Sequence, residues 1–271
     1  DGTQNEYSAG VMLQSFAESL DDKDLTAIVE YLVVLGTRDA PELNAAAEPL
    51  PLSSILPAES TLDPMRGPSG AKVALGRYLF FDARLSANTS RSCASCHQPD
   101  RAYADGQPLS EGYPSTRLFR NTPSLFNTAV QRQYFWDGRI GDLPSVIRDH
   151  LTEAHFMSSD GRLLVERMVQ TPQYVALFRD VYGDDPSFGK ILDAIAAYLE
   201  SLQSKSTPYD RFLNGQRDAL SPDAIAGWQL FRGKAGCVTC HREPDLTDNS
   251  FHNLDIPVPQ DLLDDPARRV T

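Results

Sequence analysis

The chain has 271 residues, 41% of them hydrophobic, and a formal net charge of −12 at pH 7. This length is enough to bury one large hydrophobic core or two ordinary ones. The negative charge argues against nucleic acid, whose phosphates it would repel, and favours a basic protein partner. Since no run of about 18 apolar residues occurs, the sequence predicts no membrane span.

The predicted elements are helices. Apolar residues recur at helical spacing over residues 22–35, and Asp21 or Asp22 can cap that helix. Six prolines between residues 37 and 70 predict an extended linker. Further helices are predicted over 71–81, 143–151, 161–169 and 191–204, and another begins at the Ser221–Pro222 cap. No stretch alternates convincingly as a β-strand does, so the chain is predicted to be mainly α.

Two copies of the pattern Cys-x-x-Cys-His contain all four cysteines of the chain. In covalent haem c, the two thiols add to the haem vinyl groups and the adjacent histidine binds the iron. A shared zinc site would leave the histidine after each pair unexplained, and a redox dithiol would stand near a βαβ pattern, which is not predicted. The spacing therefore predicts two haem c groups and, because haem is attached outside the cytoplasm, a periplasmic protein. Their ligands are Cys93, Cys96 and His97 in CASCH, and Cys237, Cys240 and His241 in CVTCH.

Longer stretches follow one another in the order LGRYLFFDARLS, SCASCHQPDRAYADGQPLS, RNTPSLFN, FWDGR, AIAAYLESLQSKSTPYDRFLNG and LFRGKAGCVTCHREPDLTDNSFHN. In order and spacing, from about residue 64 to residue 271, they resemble the bacterial dihaem cytochrome c peroxidase and MauG family. The resemblance implies two cytochrome c-like haem domains. The domain over 71–205 would reduce hydrogen peroxide at the His97 haem, and the incomplete domain over 206–271 would receive electrons at the His241 haem.

The resemblance also implies roles for two residues between the motifs. Trp136 in FWDGR would couple the two haems, although without the resemblance it reads equally well as a core aromatic. Asn121 in RNTPS would help to bind an inter-domain calcium ion. The implied electron donor is a cytochrome or a cupredoxin, and the implied assembly is a homodimer or a larger redox complex.

The sequence departs from the family where peroxide would bind. The family's distal glutamine and acid–base glutamate align without gaps to Val146 and Phe156, and neither can move a proton. His150 and His155 stand nearby, and a one-residue shift brings His155 to the glutamate position, so His155 is predicted as the acid–base residue, slightly ahead of His150. Either could instead ligate the iron or be a surface or packing histidine. The histidine that blocks the site in some members aligns to Tyr113, which predicts an open site.

The two ends of the chain suggest a longer protein. Residues 1–36 resemble the last part of a monohaem cytochrome c, in which Met12 would ligate a third haem; otherwise Met12 is core filler. The motif for that haem would lie before Asp1, which is expected to be a processed or truncated end. The chain stops before the family's segment that carries the distal ligand of the second haem. The alternatives to a peroxidase are MauG-like oxidation of a protein partner and a non-enzymatic electron conduit.

Overall fold

The computed structural model describes residues 68–204 and 207–252, apart from Pro114, Ser115, Arg117 and Phe119, together with Lys23. Met12, the predicted helix over 22–35 except Lys23, and the predicted linker over 37–70 up to residue 67 lie outside the described residues. In the described ranges every regular element is helical, and extended segments pair only as isolated bridges, such as Gln98 with Ala104. The prediction of a mainly α fold is confirmed.

The described residues form two compact units, which divide between Gln203 and Ser204. The first unit contains helices α1 (Pro68–Phe81), α2 (Leu143–Thr152), α3 (Gly161–Val169), α4 (Pro172–Tyr182) and α5 (Phe188–Ser201). The second contains α6 (Pro208–Leu213) and α7 (Pro222–Arg232). Among these helices, none is long and apolar enough to cross a membrane.

Local capping explains where the helices begin. Asp142 caps α2 by accepting from the backbone N–H of Ser145, and Ser221 caps α7 in the predicted position. Helix α5 begins three residues before its predicted start because Ser187 accepts from the N–H of Lys190. Helix α4 was not predicted; it follows Thr171 and carries proline in its first turn.

The core of the first unit forms where α1 packs against α5. Gly76 allows this close approach, because a Cβ atom there would collide with the carbonyl group of Ala194. The side chains that fill the contact are almost completely buried; they are Leu75, Leu79 and Phe80 from α1 and Ile191 and Ile195 from α5. This packing determines the direction in which α1 delivers the chain to the CASCH motif.

The segment between α1 and CASCH is held by buried polar groups. Asp82 is 1% exposed, and its carboxylate accepts from the Tyr174 hydroxyl at 2.7 Å and from the guanidinium of Arg84. The guanidinium of Arg167 donates to backbone carbonyls of the same segment, those of Arg84, Ser86 and Ala87, at 2.6 to 2.8 Å. Helices α3 and α4 therefore fix the chain just before the first cysteine motif.

Candidate functional site

The two cysteine motifs adopt the same backbone conformation. Each begins with a one-turn 3-10 helix, Cys93–Ser95 and Cys237–Thr239. In both, the histidine N–H donates to the carbonyl of the first cysteine at 2.9 Å, from His97 to Cys93 and from His241 to Cys237. All four cysteines are free thiols. Each turn therefore presents two thiols and one imidazole in the order that covalent haem attachment requires.

Both motif histidines are held through the same ring nitrogen. Nδ1 of His97 lies 2.9 Å from the carbonyl oxygen of Tyr103, and Nδ1 of His241 lies 3.1 Å from that of Leu246. Because a carbonyl only accepts, Nδ1 carries the proton in each ring; the His97 ring is also hydrogen-bonded to the backbone carbonyl of Pro123. Tyr103 and Leu246 both adopt the left-handed conformation, with φ of 61° and 55°. The same unusual turn thus aims a carbonyl at each histidine.

The environment of the first motif keeps its ligands neutral. Burial, together with the neighbouring His150, lowers the pKa of His97 to about 4. Burial likewise raises the pKa of the Cys93 thiol to about 12. A neutral imidazole is the form that binds a metal, so His97 is ready to act as a ligand at neutral pH.

A cleft of about 870 Å³ opens beside Cys96. Its size is in the range of cofactor sites, about 300–1,000 Å³. Its lining includes the guanidinium groups of Arg91 and Arg101, which donate to the backbone carbonyls of Glu111 and Asp105. Guanidinium groups pair well with the propionate carboxylates of a haem, but Asp105 and Glu111 line the same cleft, and Glu111 lies 3.5 Å from Arg91. The two thiols and the imidazole of CASCH are the donor set that covalent haem attachment requires, and of these three residues Cys96 lines the cleft.

A second imidazole lies beside His97, and it belongs to His150 on α2. The ring centroids of the two histidines are 6.3 Å apart. His150 is held between the rings of Phe135 and Phe156, at centroid distances of 5.1 and 4.6 Å, and its Nδ1 donates to the carbonyl of Val146 at 2.9 Å. Burial lowers its pKa as well. The imidazole of His97 therefore has a second, neutral imidazole beside it, whose ring is held by stacking and by one hydrogen bond.

His155, predicted as the acid–base residue, lies elsewhere. It is exposed, and its backbone carbonyl accepts from the N–H of Tyr113 at 2.7 Å. Val146 and Phe156, aligned with the family's proton-moving pair, serve instead as the carbonyl partner and a stacking partner of His150. The structure thus brings His150, and not His155, next to His97.

Trp136 is a surface residue with a fixed indole. The residue is 48% exposed, and its Nε1–H donates to the backbone carbonyl of Asn121 at 3.0 Å. The reading of Trp136 as a core aromatic is therefore wrong. Asn121 is itself exposed. The role of Trp136 between the haems and that of Asn121 at a calcium ion remain predictions.

The sequence profile of one known family, described as Di-haem cytochrome c peroxidase, matches residues 70–218, which is more than half of the chain. The chain belongs to this family. The resemblance seen in the sequence is thereby confirmed. Membership of this family implies that the cofactor is haem c.

The relatives of this chain include proteins named cytochrome c peroxidase and proteins named MauG. A protein named Cytochrome-c peroxidase IdrP2 from Denitromonas iodatirespirans is 39% identical over 249 residues, covering 91% of this chain and 65% of the relative. The Methylamine utilization protein MauG of Methylorubrum extorquens is 38% identical over 207 residues, covering 75% of this chain and 59% of the relative. The chain thus spans less than two thirds of the length of these relatives.

Solved structures support the same architecture. A MauG-like protein associated with microbial copper homeostasis superimposes with a TM-score of 0.63 at 30% identity, covering 68% of this chain and 55% of that one. The diheme peroxidase BthA from Burkholderia thailandensis gives a TM-score of 0.54 at 29% identity, covering 64% and 49%. The mainly α dihaem peroxidase fold predicted from the sequence is confirmed.

In this dihaem peroxidase family member, a partly buried carboxylate supports the second motif. Glu243, two residues after His241, accepts from the Tyr209 hydroxyl at 2.6 Å and from the Trp228 indole N–H at 2.7 Å. Arg232 lies 3.6 Å from its other oxygen. Helices α6 and α7 are therefore tied to the chain that leaves CVTCH.

Glu243→Ala is expected to lower the free energy of unfolding of the second unit by about 1.5–3 kcal/mol, because the buried Tyr209 hydroxyl and the partly buried Trp228 indole lose a charged acceptor. Urea unfolding of the protein followed by circular dichroism measures the loss. Glu243→Gln, which keeps an acceptor oxygen, is the matched control and should lose less than half as much. Equal losses for the two variants would mean that the carboxylate is not the important partner.

Proposed function

We propose that the protein is a periplasmic dihaem peroxidase, which reduces hydrogen peroxide at the His97 haem with electrons received through the His241 haem. One observation carries the assignment of roles to the two motifs. A second imidazole, that of His150, lies beside His97, whereas the ring beside His241 is that of the apolar Phe231, with ring centroids 6.2 Å apart. Asp248 and His252 lie near Cys240 of the second motif, so the difference concerns the iron-binding histidines themselves: among the described residues, a second imidazole ring contacts His97 and none contacts His241.

Reduction of hydrogen peroxide to two water molecules consumes two electrons and two protons, and a base must carry a proton from one oxygen atom to the other. When bound, the haem iron supplies the electron transfer that breaks the O–O bond. The chain supplies the base: Nδ1–H of His150 is committed to Val146, which leaves Nε2 to take and return the proton. We propose His150 for this work in place of His155, which is exposed.

The remaining residues exclude water and hold the base in position. Phe135 and Phe156 cover the two faces of the His150 ring, with interplanar angles of 4° and 20°. Val146 and Phe156 cannot donate or accept protons through their side chains, so they act as apolar walls. These side chains therefore hold the His150 ring in the position that the proposed role requires.

We further propose that electrons come from a basic cytochrome or cupredoxin, steered by the net charge of −12. Trp136 is the proposed relay, supported by its exposed and hydrogen-bonded indole. MauG-like oxidation of a protein partner is the second candidate, favoured by the 38% identity to MauG. In that case peroxide would be consumed when a protein substrate is present and the electron donor is absent.

The test compares His97→Ala with His241→Ala in the haem-loaded protein; both variants keep the cysteines that attach haem. Peroxide consumption is measured with a reduced basic cytochrome c and, separately, with ascorbate. His97→Ala should abolish peroxide reduction with either reductant. His241→Ala should abolish it with the cytochrome and retain it with ascorbate. The reverse pattern would exchange the roles of the two motifs. Peroxide consumption by the unmodified protein that requires an added protein substrate and no electron donor would favour the second candidate.

A further inference from the structure

The carbonyl that holds His97 belongs to a residue in an unusual backbone conformation. Tyr103 has a φ of 61°, and the preceding Ala102 has a φ of 56°. A residue with a Cβ atom adopts this left-handed region only at a cost, so the fold must hold it there. From this turn the Tyr103 carbonyl oxygen lies 2.9 Å from Nδ1 of His97. The contacts that hold Tyr103 in place therefore also set the hydrogen bond to the imidazole.

The side chain of Tyr103 ties this turn to the helical core. The residue is 3% exposed, and its hydroxyl lies 2.9 Å from the hydroxyl of Tyr198 on α5, which is 5% exposed. The guanidinium of Arg77 on α1 also donates to the Tyr198 hydroxyl. The Tyr103 ring packs edge-on against Phe80 and Phe126, at centroid distances of 5.9 and 5.4 Å. Two buried hydroxyl groups thus satisfy each other between the core and the turn.

The second motif has the same turn without this attachment. The carbonyl that faces Nδ1 of His241 belongs to Leu246, whose φ is 55°. The Leu246 side chain is only partly buried, and it has no atom that can form a hydrogen bond with a helix. The hydroxyl pair of Tyr103 and Tyr198 therefore distinguishes the support of the first imidazole from that of the second.

We infer that Tyr198 is a positioning residue for the iron ligand His97, acting through the hydroxyl and then the backbone carbonyl of Tyr103. The inference rests on the proposed haem at His97, and it deepens the proposed function. A carbonyl held firmly against Nδ1–H makes the imidazole a stronger electron donor to the iron. Because a stronger donor stabilises the oxidised iron, the tyrosine pair lowers the reduction potential of this haem.

Other contacts of the His97 ring limit the size of this effect. The backbone carbonyl of Pro123 is also hydrogen-bonded to the ring. The hydroxyl of Ser124, the next residue, donates to the carbonyl of Ala102 at 2.6 Å, which joins this segment to the same turn. Loss of the Tyr198 hydroxyl should therefore weaken the hydrogen bond to the imidazole without releasing the ring.

Redox titration of the haem-loaded protein, followed by electronic absorption, tests the inference without measuring turnover. Tyr198→Phe removes the hydroxyl and keeps the ring. It should shift the reduction equilibrium of the His97 haem toward the reduced form by at least about threefold, which is roughly 30 mV for a one-electron couple. The His241 haem should titrate as before. The titration step that changes in His97→Ala identifies the His97 haem.

Two further variants separate positioning from folding. Tyr103→Phe removes the other half of the same hydrogen bond, so the double variant should shift the potential by less than the sum of the two single shifts. Tyr182→Phe, at the end of α4, is the matched control, because it also removes a hydrogen-bonded hydroxyl, one that donates to Asp193 at 2.7 Å. It should leave the potentials of both haems unchanged.

Three outcomes would overturn the inference: an unchanged potential in Tyr198→Phe, an equal shift at both haems, or a shift of the same size in Tyr182→Phe. Peroxide reduction by the unmodified protein in any of these cases would leave the proposed function standing. A protein that does not reduce peroxide, but whose His97 haem shifts as expected, would refute the proposed function and support the inference.

Discussion

Gly76→Ala is expected to lower the free energy of unfolding of the first unit by more than about 3 kcal/mol, at or above the upper end of ordinary overpacking. The added methyl group would meet the carbonyl of Ala194 and come within 2.9 Å of the Tyr198 Cβ atom. Backbone atoms of α5 cannot rotate away as a side-chain tip can. Relief therefore requires α1 and α5 to separate along their whole buried contact.

The same change should loosen the haem site. Tyr198 on α5 bonds the hydroxyl of Tyr103 at 2.9 Å, and Tyr103 supplies the carbonyl that holds His97. Urea unfolding followed by far-ultraviolet circular dichroism measures the stability. Gly189→Ala is the matched control, since nothing lies within 4 Å of its added methyl group. It should be neutral or stabilise by about 0.4–1 kcal/mol, and equal losses for the two variants would show that helix contact at Gly76 is unimportant.

Asp82→Ala is expected to cost about 3–5 kcal/mol, because it removes one partner of a buried ion pair. The Arg84 side chain would keep its charge at 19% exposure, and the completely buried Tyr174 hydroxyl would lose its acceptor. Asp82 also caps the 3-10 turn Ala83–Leu85, so the chain leading to CASCH should lose its fixed path.

Thermal and urea unfolding measure this effect, and the yield of covalently attached haem reports on the motif. Tyr174→Phe is the matched control: it removes one hydrogen bond but leaves the pair of Asp82 with Arg84, and should cost about 1–2 kcal/mol. If Asp82→Ala costs no more than Tyr174→Phe, the ion pair contributes nothing to stability.

Helix prediction succeeded where the pattern is local. Apolar spacing and capping placed α1, α2, α3 and the start of α7 to within three residues. Helix α4 was missed although Thr171, Pro172 and the spacing of Tyr174, Leu177 and Phe178 indicate it. The signal for this helix is therefore present in the local sequence.

The distal face could not be predicted in the same way. His150 and His155 lie five residues apart, and alignment to a lost glutamate favoured His155. The stack that selects His150 joins Phe135, fifteen residues earlier, to Phe156, six residues later. Only the i and i+4 spacing of Val146 and His150 on α2 hinted that they would share a helix face.

The sequence by itself determined the cofactor chemistry, because the porphyrin imposes the spacing of two thiols and a histidine on five consecutive residues. Such a requirement is local and survives whatever surrounds it. The tertiary structure alone decided which imidazole lies beside His97, since that depends on how α2 packs and on which aromatic rings enclose His150. Contacts between separated segments depend on how several elements pack together, so no single stretch of the sequence predicts them.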